Sequence, residues 1–182
     1  MKKLRTPLAA SLPKTDDVAW PLPHTPRLAI AVPRLRLPYE ARRFAESDLD
    51  ALAAWKPEAL AGPWQWIDRL LEEEERGTLD LAACLTHPVL VVGRPEDGVR
   101  GDEDRARVWR VWGLPVFEQW RAEDGTLLAW ECEAHAGFHV TPAYEAHAQT
   151  GAPCPCGQSG ARLVVSPAPE AEELSRAAAA AD

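Results

Sequence analysis

Asparagine is absent from this sequence of 182 residues, methionine occurs once, and none of the apolar runs is long. Crossing a bilayer takes roughly 18 to 20 consecutive apolar residues, whereas the apolar run at 89–92 ends at Gly93. A membrane-spanning role is therefore excluded. The basic start of the chain, 1–5, is followed at 7–13 by a proline-broken segment that is too short for an export signal. We expect a cytoplasmic protein that does not act at a membrane.

Motifs that would reveal a common type of enzyme are also missing. The sequence contains no nucleophile elbow, no phosphate-binding loop, no paired-carboxylate motif and no internal repeat. Hydrophobic residues make up 46% of the chain and charged residues 26%, which suits one globular domain with or without a small module. The function must therefore be sought in the charge distribution, the cysteines and the histidines.

Charge is distributed unevenly along the chain. Residues 1–43 contain nine Lys or Arg and three Asp or Glu, a net charge of +6, so the remainder carries −14 against a total of −8. A basic arm on an acidic body suits either of two contacts. It can bind an acidic partner such as nucleic acid, or it can lie across its own body.

Hydrophobic patterning predicts the elements of the central part of the chain. We expect a strand over 27–32, a helix from Ser47 to Trp55, a helix between Pro63 and Gly77, a buried strand over 89–92 and a strand over 108–112. The four glutamates at 72–75 are interpreted as a solvated helix face. The polar stretch 94–105, with its acidic triplet at 102–104, is interpreted as a solvated loop.

Two further β-prone segments on either side of Asp124-Gly125 predict a hairpin. A two-residue turn would place Glu118 opposite Glu131. A three-residue turn with Gly125 in a left-handed conformation would place Glu118 opposite Trp130. We prefer the second register because it avoids two facing carboxylates.

Two close pairs of metal-ligating residues follow this hairpin. Cys132 and His135 form the first pair, and Cys154 and Cys156 form the second after eighteen intervening residues. Thiolate and imidazole ligands in two short chelating pairs are what a closed tetrahedral zinc site requires. His139 is the alternative to His135 as the fourth ligand. The sequence therefore predicts one structural Zn²⁺ ion.

Residues 126–166 resemble a zinc ribbon, a small β module in which two ligand-bearing turns follow strands of a twisted sheet. Here a strand over 126–131 leads into the turn at 132–135, and the turn at 154–156 precedes a closing strand over 161–165. The resemblance implies a structural metal and a small antiparallel sheet. It covers this segment alone.

Two other functions remain open. The first is a nucleic-acid-binding ribbon that contacts phosphates through the basic arm and through Arg107, Arg110 and Arg121. The second is a zinc-dependent hydrolase, with Glu131 or Glu133 as the base, or a zinc-dependent deaminase. Nothing in the sequence selects either glutamate for that role.

The sequence as a whole predicts an α+β protein with a mainly antiparallel sheet, two N-terminal helices and a C-terminal zinc-ribbon-like β unit. Its regions are an extended proline-rich basic arm (1–26), an α/β body (27–113), the hairpin with the zinc-ribbon-like unit (114–166) and a frayed or disordered tail (167–182). We expect a non-enzymatic zinc-binding accessory or regulatory protein. Its expected partner is a larger macromolecule, either a protein or a ribonucleoprotein.

Overall fold

The computed structural model describes residues 26–32, 40–142, 144, 154–158 and 160–163. The strands are β1 (Leu28–Ile30), β2 (Ala41–Arg43), β3 (Ala59–Gly62), β4 (Val89–Gly93), β5 (Val116–Arg121), β6 (Leu127–Glu131), β7 (Phe138–Val140) and β8 (Arg162–Leu163). The helices are α1 (Leu49–Trp55), α2 (Trp64–Glu75) and α3 (Asp102–Trp112), with a short 3₁₀ helix at Pro95–Asp97. The predicted arm up to residue 25 and the predicted tail at 167–182 lie outside the described residues.

All eight strands form one sheet, in the order β2-β1-β3-β4-β5-β6-β7-β8. The pairings from β2 to β5 are parallel, and those from β5 to β8 are antiparallel. The sheet is therefore mixed, which corrects the expectation of a mainly antiparallel sheet. Helical crossovers connect β2, β3, β4 and β5, and strands joined in this way run parallel. The sheet continues from the parallel strands into the hairpin, and the domain boundaries that we predicted stay predictions.

The two expected N-terminal helices are present. Helix α1 contributes the buried Leu52. Helix α2 follows Pro63, and its buried side chains recur at helical spacing. The chain leaves α2 through Gly77, whose φ of 72° favours glycine.

Helix α3 replaces the end of the loop that we expected over 94–105 and the strand that we expected over 108–112. The acidic triplet forms its first turn, where negative charge is favoured by the helix dipole. Val108 and Trp112 are one helical turn apart and both are buried, while Gly113 ends the helix in a left-handed conformation. The spacing that we interpreted as strand alternation is thus the inward face of a helix.

The core lies on both faces of the parallel half of the sheet. One buried cluster joins side chains of all three helices to strand residues such as Leu60, Val89 and Val116. A second cluster on the opposite face consists of strand residues, among them Ile30, Leu90 and Phe117. Burial on both faces accounts for the nearly continuous apolar sequence of β4.

The predicted hairpin is present, but its register differs from the one that we preferred. Gly125 has a φ of 90°, and the Ala122 amide bonds to the Thr126 carbonyl at 2.9 Å, as a three-residue turn requires. A β-bulge at Trp120/Arg121 then shifts the pairing, so that Trp120 lies opposite Ala129. The shift makes Glu118 and Glu131 neighbours after all.

The helices of the described ranges are all too short or too polar to cross a bilayer.

Candidate metal centre

Three cysteines and one histidine meet at the end of β6 and beside β7. They are Cys132, His139, Cys154 and Cys156, and one ligand atom from each lies within 4.8 Å of the other three. Cys132 follows β6 directly, and His139 is the central residue of β7. The first three side chains are buried and that of Cys156 is half-buried. Antiparallel pairing of β6 with β7 is therefore what brings the first cysteine next to the histidine.

The distances within the cluster agree with a tetrahedral metal site. Cys132 Sγ lies 3.6 Å from Cys154 Sγ, and Cys156 Sγ lies 3.3 Å from His139 Nε2. Zinc bonds of usual length would set tetrahedral edges of about 3.8 Å between two sulfurs and about 3.6 Å between sulfur and nitrogen. All three cysteines are free thiols. This donor set is one that Zn²⁺ favours, so the residues present fit the predicted ion.

His135, which we first expected to be the fourth ligand, lies outside this cluster. His139, the alternative, is the histidine of the cluster. The His135 amide bonds to the Cys132 carbonyl at 3.0 Å, and the Gly157 amide bonds to the Cys154 carbonyl at 2.9 Å. The last residue of each four-residue turn has a left-handed backbone conformation, with φ of 46° for His135 and 84° for Gly157. His135 therefore closes its turn in the way that Gly157 closes the second turn, and β7 supplies the histidine of the cluster.

The His135 side chain is held apart from the cysteines by two contacts. Its ring stacks on Phe117 with centroids 4.4 Å apart, and its Nδ1 lies 3.5 Å from a carboxylate oxygen of Glu131. His139 instead stacks on Trp130, with centroids 5.5 Å apart, and is buried. The two imidazoles thus face different surroundings although they are four residues apart.

Burial governs the protonation of the cluster when no ion is bound. It raises the pKa of Cys132 to about 12. Burial also raises the pKa of Cys156, whereas for Cys154 its effect is outweighed by hydrogen bonds from Cys156, Cys132 and Arg162, which leave that pKa below its ordinary value. Burial, with a smaller effect of Arg162, lowers the pKa of His139. His139 is consequently neutral near pH 7, the form that binds metals, while binding to Cys132 must release a proton.

The two glutamates considered as catalytic bases have different surroundings. Glu133 is exposed. Glu131 is buried and accepts hydrogen bonds from Arg105 Nη2 at 3.2 Å and from the Glu118 amide at 3.0 Å. Arg105 Nη2 also bonds to Glu118 at 2.5 Å. This arginine lets the two carboxylates lie side by side, and it explains why the hairpin tolerates the register that we rejected.

Two of the three arginines proposed for nucleic-acid contact are engaged within the chain. Arg107 forms ion pairs with Glu75 at 2.7 Å and with Asp68, both on α2. Arg121 is buried and donates to the Gly125 carbonyl at 2.8 Å. Arg110 is exposed on α3. The tetraglutamate that supplies Glu75 is therefore more than a solvated face.

Sequence reasoning missed Arg105 and left His139 as the second choice. No local pattern marks Arg105, because its partners are 13 and 26 residues away along the chain. For His139, a signal was present. Phe138 and Val140 flank it with buried apolar side chains, and this alternation is that of a strand with the histidine on the other face.

Comparisons with known proteins do not assign a family. No protein-family model matches the chain, and no curated protein matches it. Among solved structures, the chain is similar to an open conformation of 2-hydroxyisobutyryl-CoA ligase in complex with 2-HIB-AMP and CoA, with a TM-score of 0.47 and 15% identity over 62% of this chain. The chain spans 29% of the length of that ligase. A likeness at this level does not identify the protein.

Proposed function

We propose that the protein binds one Zn²⁺ in a closed structural site formed by Cys132, His139, Cys154 and Cys156. The observation that carries the proposal is the convergence of three sulfurs and one imidazole nitrogen within 4.8 Å. Four protein ligands complete the tetrahedral coordination of zinc, so no position is left for a reactive water. Bound zinc would supply folding energy by holding the turn at 154–157 against β7.

We further propose that the protein acts as a non-enzymatic accessory or regulatory factor. A zinc hydrolase needs an open coordination position and a base beside it. Glu131 is a poor base for such a reaction because its oxygens already accept bonds from Arg105 and from the Glu118 amide. The set of four protein ligands and the engaged oxygens of Glu131 both favour a role in which the metal stabilises a binding surface.

The partner that we propose is a protein or a ribonucleoprotein, with direct nucleic-acid binding as the alternative. The ion pairs of Arg107 and the burial of Arg121 support this order, because neither guanidinium can contact a phosphate without breaking its present bonds. The acidic body, at −14 beyond residue 43, also repels a phosphate backbone.

Metal analysis of tag-free protein tests the site. We expect one equivalent of zinc, lost together with thermal stability in Cys154→Ser and in Cys156→Ser. Cys84→Ser is the matched control, since Cys84 bonds to the Leu81 carbonyl and lies outside the cluster. Zinc-free protein, or variants in the cluster that melt like Cys84→Ser, would show that the site is not structural.

Affinity capture from native cells tests the partner. The captured material is treated with nuclease before analysis, and a protein partner is expected to persist. The Cys156→Ser variant should recover less of it than Cys84→Ser does. Capture of nucleic acid alone would favour the alternative function.

A further inference from the structure

A cleft of about 510 Å³ lies between α3 and the sheet, where β6 ends and β7 begins. Its two sides are formed by one face of α3 and by the strand ends, namely Asp102, Arg105 and Trp109, and Glu131, His135 and Phe138. Small-molecule sites have volumes of about 300 to 1,000 Å³ and combine apolar walls with a few polar groups. The cleft has the size and the lining of such a site.

Trp109 gives the cleft an exposed aromatic rim. Its side chain is 62% exposed, whereas Val108 and Trp112 on the same helix are buried. Leu114 and Val116 continue the apolar wall below it. A single exposed tryptophan needs no explanation by itself. Here, however, the indole stands beside a concave apolar surface, where it can cover one side of a ligand.

The polar end of the cleft has two carboxylates, Asp102 and Glu131, and two arginines, Arg100 and Arg105. Arg105 is shared between Glu131 and the buried Glu118, and its Nε and Nη1 donate to the carbonyls of Arg100 and Val116. All three nitrogens of that guanidinium therefore already donate hydrogen bonds within the chain.

Arg100, the other arginine of the lining, has its own contacts. It lies 3.9 Å from Asp104, donates to the Asp97 carbonyl and covers the Trp64 ring. Asp102 is exposed at the rim. Among the described residues of the lining, both arginines and Glu131 therefore have partners within the chain, whereas the carboxylate of Asp102 has none.

We propose that this cleft binds a small organic cation, an amine or amidine carried on an apolar or aromatic body. The apolar body packs on Leu114, Val116 and Phe138. The cationic group lies between Asp102 and the face of Trp109, because indole rings attract cations and the carboxylate of Asp102 does the same. His135, whose Nδ1 faces Glu131, lines the same end. The proposal uses none of the four residues of the metal centre.

Calorimetric titration of the full chain, with its metal as purified, tests the proposal. The probes are phenethylamine, 2-phenylethanol and phenylacetate, which share one body and differ in charge. We expect the amine to bind at least about tenfold more tightly than the alcohol or the acid. Trp109→Ala should weaken binding of the amine about five- to tenfold, and Trp109→Phe should restore most of it, since a π face is kept. Asp102→Asn should weaken it about threefold, whereas Glu103→Gln, a neighbour outside the lining, should leave it unchanged.

Equal binding of the three probes, or an amine affinity that survives Trp109→Ala, would overturn the proposal. A capped dipeptide containing lysine distinguishes a free amine from the side chain of a partner protein. The volume of the cleft suits the free amine, which should bind at least as tightly as the dipeptide. A dipeptide that binds more than tenfold more tightly would overturn the assignment to a small molecule.

Discussion

Removing one histidine or the other should have very different effects on metal affinity. Zinc binding to structural sites is worth about 10 to 16 kcal/mol, or about 2.5 to 4 kcal/mol for each of four ligands if shared equally. Loss of the His139 imidazole should therefore weaken zinc binding about 100- to 1,000-fold. Loss of the His135 imidazole should change it less than about threefold, because its contacts are a stack on Phe117 and a 3.5 Å approach to Glu131.

The variants are His139→Ala and His135→Gly, compared by competition with a chromophoric chelator. Glycine is used at position 135 because the φ of 46° there would strain another side chain. His139→Cys is the control for folding, since a fourth sulfur should restore metal binding. When Co²⁺ replaces zinc, the fourth sulfur of His139→Cys should appear as stronger sulfur-to-cobalt charge-transfer absorption.

X-ray absorption on the native protein provides an independent check. We expect about three sulfurs near 2.3 Å, one nitrogen near 2.0 Å and no oxygen. Tight binding in His139→Ala together with loss of zinc in His135→Gly would refute the assignment of the fourth ligand. A bound oxygen in the native protein would refute the closed site.

Four further results are expected. Arg105→Met should lower the free energy of unfolding by about 3 to 5 kcal/mol in chemical denaturation, because it leaves two buried carboxylates without their cation; an unchanged midpoint would contradict this. Burial raises the pKa of Glu118 above its ordinary 4.5, so the folded state holds its proton more tightly, and stability should fall as pH rises from 4.5 through the raised pKa; Glu118→Gln should flatten that part of a stability–pH curve. Gly62→Ala would place a Cβ 2.4 Å from the Trp66 ring and should lower stability by about 1 to 3 kcal/mol, so wild-type melting would be the contrary result. Binding to mixed-sequence DNA or RNA should be weak at physiological salt, and tight binding that falls steeply with salt and is lost on deleting residues 1–26 would instead support the nucleic-acid function.

Local signals were enough to predict α2, β4 and the existence of the hairpin. Pro63, the spacing of apolar residues and Gly77 mark the helix without any information from the rest of the chain. Helix α3 was missed because the apolar residues at 108, 111 and 112 suit either a strand or one face of a helix. Its acidic first turn and Gly113 were the signals that distinguish the two.

Features that depend on distant residues were not predictable in this way. The hairpin register depends on Arg105, which comes from another element and reduces the repulsion between Glu118 and Glu131. The direction of β1 to β5 depends on crossovers and not on the strand sequences. At the metal centre the three cysteines were found from their spacing. The choice of His139 depends on β7, for which the alternation of Phe138, His139 and Val140 is the only local signal.

The edge strand β8 links metal binding to the solubility of the protein. The outermost strand beside β7 is β8, described over Arg162–Leu163. Strand β8 begins six residues after Cys156, so metal binding by the turn that contains Cys154 and Cys156 helps to hold β8 beside β7. Losing β8 would open the edge of β7, and an open edge pairs readily with strands of other molecules. Zinc depletion should therefore promote concentration-dependent self-association before the helix-covered half of the sheet unfolds.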